Sequence, residues 1–522
     1  MAHTHSTNTA QLRQYFEHPR CQQFQRQNGI TRRRTDGSPA AISGEYTGDD
    51  NAAVSDNFDK EAPEKSLSPL LLLGLMYTYT ISGAYAIEES VMGGGPLLAL
   101  ASIVFIPIFM AAPTAVVVTE LAAAIPSNAS VLIWTQVSFS RVIYFASVLQ
   151  TLLLTFVDNA LFPVLVSEYV CTSVECTTWQ NKMLRTAMLL FTYILNIIGV
   201  KTVGWVSVAV SVATVVPVSL LFVLHLFQTG FYLNWPAISF IPDEIDWPTF
   251  IATASWNLCG LEQVATVTEE TKTPHKTIMR ALIPLMGLAF LTYIPPILTG
   301  ASTRKGLPDI SEWTTGYWAE VALTVGGIPL QVLVVVASAF SAFGLTMSAL
   351  CTTTQVIAGT ALTGVFPEPI GRILYQRNKR FGTYHWTLTI NALITGIFGI
   401  VLDFGPLVKV DQVLYGVRIV MLYMSFVIIR YRYPHLDRPY RVPLEGYQLL
   451  IFIIPGLLFT ALTVVAMMED TQTIIVNVSV LVGSFVISGI YCTFIHKEEF
   501  HGGIVTEPLH QVTAEDDDEE EK

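Results

Sequence analysis

An apolar stretch long enough to cross a bilayer needs roughly 20 residues at about 1.5 Å each. Such stretches recur about a dozen times along this 522-residue chain. Val206 to Phe227 and Ile474 to Ile495 are the cleanest. A single soluble core cannot absorb so many. Only 13% of the residues are charged against 52% hydrophobic, and mean hydropathy is +0.50. Soluble chains carry about 25% charge. The pattern reads as an all-α membrane protein of about 12 transmembrane helices. It excludes global disorder and a small disulfide scaffold. With 29 Lys+Arg against 41 Asp+Glu and a net charge of −12, no nucleic-acid partner is expected.

Three regions are expected: a polar, disordered cytoplasmic arm over 1–65, a transmembrane transporter domain over 66–496 and an acidic cytoplasmic tail over 497–522. The arm has no apolar core of a signal peptide and carries Arg32, Arg33 and Arg34. The tail ends in a self-repelling run from Glu515 to Glu521. An even number of passages puts both ends on one side. Loops on that side hold thirteen Lys and Arg, and those on the other hold five. The tails are therefore expected in the cytoplasm. The plasma membrane is the expected location. Cys171 and Cys176 stand close together in a short outer loop, where a local disulfide can form.

Two helices carry signs of interruption. The first reads Ser82-Gly83-Ala84-Tyr85 and then Glu88-Glu89; the sixth reads Trp256-Asn257-Leu258-Cys259-Gly260 and then Glu262. In each, a glycine weakens the helix and acids follow at a depth where lipid would forbid them. Matching positions five helices apart are the pattern of inverted repeats whose broken helices bind substrate near the midplane. A third deep acid, Asp158, sits beside Asn159 in the third helix.

Four stretches then carry a family resemblance: Ile81 to Val91, Val157 to Leu165, Trp256 to Pro274, and Asp437-Arg-Pro-Tyr-Arg-Val-Pro443. With them the chain resembles the amino acid–polyamine–organocation superfamily of secondary transporters. Within it, the polyamine:proton symporters of plants and protozoan parasites are most similar. The resemblance implies a five-plus-five inverted repeat, two extra helices, and a pocket completed by helices three, eight and ten. It also implies a proton-linked role for Lys201, buried near the first broken helix. Glu269, Glu270, Lys272, Arg372, Arg377, Lys379 and Arg380 resemble inner-gate or anchoring charges.

A polyamine is a row of ammonium groups joined by methylenes, so its site needs spaced carboxylates and aromatic faces. The candidate substrate residues are Ser82, Gly83, Glu88, Glu89, Asp158, Trp256, Asn257, Gly260, Glu262 and Tyr415, with Tyr79 and Tyr85 as further walls. One departure from the resemblance falls in helix ten. Where polyamine members carry an acid, this chain has Leu422 and, one turn earlier, Arg418. A buried Arg418 opposes a dication unless Asp411 or Glu262 neutralises it, and suits a substrate bearing a carboxylate. The expected function is import of polyamines or cationic amino acids by a proton symporter working by alternating access. The alternatives are a general or neutral amino acid permease and a transporter-like nutrient sensor. The expected partners are a small cation or amino acid, a proton and the bilayer. No metal, cofactor or catalytic residue is expected, since no P-loop, nucleophile motif or His-rich cluster occurs.

Overall fold

A computed structural model describes residues 67–500 except 175, 272, 305, 379, 403, 469–470 and 498–499. The arginine triplet of the arm, the acidic run of the tail, Lys272 and Lys379 lie outside the described residues. Within them the chain is helical, and an isolated bridge pairs Leu67 with Thr271.

The order begins with α1 (Pro69–Thr80), α2 (Glu88–Ile106) and α3 (Ala112–Ala124), the last two joined by a π-helical turn. A short α4 (Val131–Ser138) leads into the long α5 (Arg141–Val174), α6 (Thr178–Ile198) and α7 (Val200–Thr229). After the small α8 (Trp235–Ile238) come α9 (Trp247–Trp256), a 3-10 helix (Leu261–Val267) and α10 (Pro274–Thr303). The remainder is α11 (Tyr317–Ala361), α12 (Glu368–Tyr375), α13 (His385–Val401), α14 (Phe404–Arg432), α15 (Tyr447–Ala466) and α16 (Thr471–Ile490).

Local sequence explains the starts. Ser68 accepts from the Leu71 amide at 3.4 Å with Pro69 as the first helical residue. Thr177 and Gln180 form a capping box on α6, and Asp246 accepts from the Thr249 amide at 3.2 Å ahead of Pro248. Eight helical segments among the described residues are long and apolar enough to cross a membrane. Their outer faces are apolar: Val465 is 70% exposed, Ile328 68% and Leu458 66%. Such faces are at home in lipid and not in water. Cys171 and Cys176 form the disulfide at the α5–α6 turn, with Cα atoms 4.9 Å apart.

Both expected interruptions are present. Between α1 and α2 the backbone leaves the helix at residues 81–87, and Ser82, Gly83 and Ala86 take positive φ of 47°, 116° and 71°. Between α9 and the 3-10 helix it breaks at Asn257 to Gly260, where Gly260 has φ 88°. Left-handed φ at Ser82 and Ala86 is strained, and such strain persists only where the surroundings hold it.

Candidate functional site

Backbone and side-chain groups of the two breaks find partners on neighbouring helices. The Ser82 hydroxyl donates to the Ser341 carbonyl at 2.7 Å, and the Trp318 indole N–H donates to the Ala84 carbonyl at 2.6 Å. The Gly260 amide donates to the Tyr415 hydroxyl oxygen at 3.0 Å. Tyr293, on α10, joins the two breaks: its hydroxyl lies 2.9 Å from the Asn257 carbonyl and 3.2 Å from that of Ile81. Irregular backbone at membrane depth is tolerated only when satisfied in this way.

Between the breaks lies a hollow of about 40 Å³. One water needs about 10–15 Å³, so it holds a few. Its wall includes Asp158 from α5, Asp411 and Tyr415 from α14, and Trp256, Asn257 and Gly260 from the second break. Tyr79, Tyr85 and Phe162 add aromatic surface, with the Phe162 and Trp256 rings 6.2 Å apart. The Tyr79 hydroxyl donates to Asp158 Oδ2 at 2.9 Å. Asp411 is 3% exposed; its Oδ2 accepts from Gln412 Nε2 at 3.1 Å, while Oδ1 has no hydrogen-bond partner. Two carboxyl groups and several ring faces thus surround one small space. That arrangement suits an elongated organic cation.

The other candidates stand elsewhere. Ser82 and Gly83 form the first break but are turned away from the wall, Ser82 toward α11. Glu88 and Glu89 begin α2, the half-helix after the break, and tie it to the loop before α11, not to the hollow. The Gly316 amide donates to Glu88 Oε1 at 3.3 Å and the Thr315 hydroxyl to Glu89 Oε1 at 2.7 Å. Glu262 is fully buried behind the wall, where the Tyr415 hydroxyl donates to its Oε2 at 3.1 Å. Arg418 Nε stands 3.9 Å from Glu262 Oε1, and Arg418 Nη2 donates to Gln263 Oε1 at 3.3 Å.

Lys201 requires a correction. It is exposed on the first turn of α7, not buried. Gly204 packs beside Leu71 and Val208 against Gly74, so Lys201 is level with the start of α1 and well short of its break.

The sequence suggests Asp411 only as a neutraliser of Arg418, and the structure places it on the wall. A Lys409-Val-Asp411-Gln412 segment near a helix start looks like an ordinary polar end. The signal was its helical spacing: Asp411 and Tyr415 are four residues apart and share a face.

Further charges tie the bundle beyond the site. Arg377 Nη2 is 3.4 Å from Glu270 Oε1 and donates to the Tyr384 hydroxyl at 2.5 Å. The Asn128 amide donates to Glu269 Oε1 at 2.9 Å, and the Glu269 amide to Asn128 Oδ1 at 3.1 Å. Arg372 is different, pairing with Glu368 on the exposed face of α12. In the Asp437–Pro443 segment, Arg438 and the Val442 amide both bind Glu120, at 3.3 Å and 2.7 Å. Among the described residues no group of three His, Cys, Asp or Glu side chains could hold a metal ion.

The family model for amino acid permeases matches residues 67–491. This chain belongs to the amino acid permease family. It is a membrane transporter and not an enzyme. Among curated relatives, a probable polyamine transporter of Arabidopsis thaliana is 27% identical over 482 residues, covering 91% of this chain and 98% of the relative. The polyamine transporter RMV1 of the same plant is 27% identical over 397 residues, 75% of this chain and 78% of its own. The polyamine transporter PUT1 of Oryza sativa subsp. japonica is 26% identical over 419 residues, 79% and 75% of the two chains.

Proposed function

We propose that this permease imports polyamines by proton symport, through alternating access to the hollow between the two breaks. The observation that carries the reading is the pair Asp158 and Asp411 on the wall, with the nearby guanidinium of Arg418 matched by Glu262 behind it. Two carboxyl groups facing one space favour a dication over a neutral zwitterion. The names of the curated relatives point the same way. Arg418 does not border this hollow, which weakens the reading in which it binds an amino acid carboxylate.

The wider architecture of this reading is twelve passages built as a five-plus-five inverted repeat with two added helices. Both termini then face the cytoplasm of a plasma-membrane protein. The Cys171–Cys176 disulfide supports that orientation, because such bonds persist in oxidising compartments. A hollow with room for only a few waters must widen to admit substrate, which is what movement of the half-helices would supply. The exposed Lys201 is not part of the proposed coupling. Asp158 and Asp411 are the carboxyl groups on the wall able to exchange a proton.

The test is uptake of labelled putrescine by cells lacking their own carriers, at acidic and neutral external pH. Unlabelled spermidine, arginine and leucine serve as competitors. Saturable putrescine uptake that rises in acid and ignores leucine is expected. Transport of leucine with no competition from either amine would overturn the reading.

A further inference from the structure

A second, smaller hollow of about 10 Å³ lies next to the first. It is bounded by α4, α5 and α14, and its polar lining is Thr135, Ser147, Gln150, Thr151 and Arg418. Gln263 borders the first hollow and Arg418 the second, and the two side chains are hydrogen-bonded to each other. They form the partition between the two spaces. Glu262 stands at this partition, fully buried.

The pairing there is loose. Arg418 is only 5% exposed, yet its Nε has no hydrogen-bond partner, and neither does Glu262 Oε1, 3.9 Å away. A buried pair this open offers the acid a cation held by attraction more than by hydrogen-bond geometry. A guanidinium tethered between the two hollows, beside an acid, occupies the position that one more ammonium group of a longer substrate would seek.

We propose that Arg418 is a specificity-determining residue that limits this transporter to diamines. Its guanidinium fills the subsite at Glu262 and closes the way from the first hollow to the second. A diamine matches the two wall carboxyl groups Asp158 and Asp411. A triamine brings a third ammonium that meets the like charge of Arg418 in a space too small for its extra methylenes. Removing the guanidinium frees Glu262 as a third anionic partner and joins the hollows. The inference rests on the polyamine reading above and deepens it.

Wild-type protein is first assayed for inhibition of labelled putrescine uptake by unlabelled putrescine and by spermidine. Weaker inhibition by the triamine is expected, and equal or stronger inhibition overturns the proposal without any variant. The ratio of spermidine to putrescine uptake is then compared in Arg418→Ala, Arg418→Lys and Arg418→Ala/Glu262→Gln. A rise of tenfold or more is expected in Arg418→Ala. The lysine variant, still cationic, should keep the wild-type ratio, and loss of Glu262 should cancel the gain. Arg418→Gln replaces the alanine variant if that protein does not reach the membrane. An unchanged ratio in a surface-expressed neutral variant overturns the proposal while leaving putrescine transport standing. Absence of all amine uptake by the wild type sinks instead the reading on which it rests.

Discussion

The placement of single acids decides what this transporter can bind. Three buried carboxyl groups, Glu88, Glu262 and Asp411, and the partly buried Asp158 sit near the breaks, but of these four only Asp158 and Asp411 border the hollow. Glu88 is committed to the loop before α11 and Glu262 to Tyr415 and the partition. A hydrogen bond to a charged group contributes about 1.5–3 kcal/mol. Asp158→Asn and Asp411→Asn are therefore each expected to weaken putrescine by roughly tenfold to a hundredfold in competition assays. Glu262→Gln should cost less than either. A larger loss at Glu262 than at both wall residues would show that substrate reaches behind Tyr415.

At the scale of elements, the breaks are held by cross-helix bonds as much as by their own residues. Gly260 takes φ 88°, and a Cβ there would lie 2.9 Å from the Tyr79 ring. A non-glycine residue in the left-handed region costs about 1–2 kcal/mol before any clash. Tyr79 also donates to Asp158, so a shifted ring disturbs the wall directly. Gly260→Ala is expected to lower thermal stability and abolish uptake. Gly287→Ala is the control, because a Cβ there meets nothing within 4 Å. Full uptake by Gly260→Ala would mean that the break tolerates an ordinary helix. The first break is buttressed in the same manner by Ser341, Trp318 and Tyr293.

For the molecule as a whole, the Arg377–Glu270 pair links the segment after the second break to the loop before α13. Both side chains are under a tenth exposed, at 9% and 7%, so the contact is screened little by salt. Cutting it with Arg377→Ala should loosen access to the hollow. Cys259, half-buried on the wall, reports on this. In a chain with Cys21, Cys351 and Cys492 changed to alanine, the variant should react with a thiol reagent about tenfold faster, a shift of about 1.4 kcal/mol. Equal rates with and without Arg377 would make the pair a fixed anchor and not a closure.

The order of apolar runs, the scarcity of charge and the two glycine-centred interruptions were enough to state a helical membrane transporter with broken helices. These features are local: bilayer thickness sets run length, and a glycine among polar groups weakens a helix wherever it stands. The aromatic walls at Tyr79, Tyr85 and Trp256 were legible for the same reason, lying on or beside those breaks; Tyr415, far along the chain on α14, reaches the second break only through packing. Which acids face the hollow was not legible. Adjacent helical residues point about 100° apart, so the direction of Glu88, Glu262 or Asp411 depends on how each helix is rotated against its neighbours. Lys201 was misplaced for a related reason: its depth is set by how far α7 slides along α1, and that slide is fixed by Gly204 meeting Leu71 and Val208 meeting Gly74. Rotation and slide arise from packing between segments far apart in the chain, and only the folded molecule contains them.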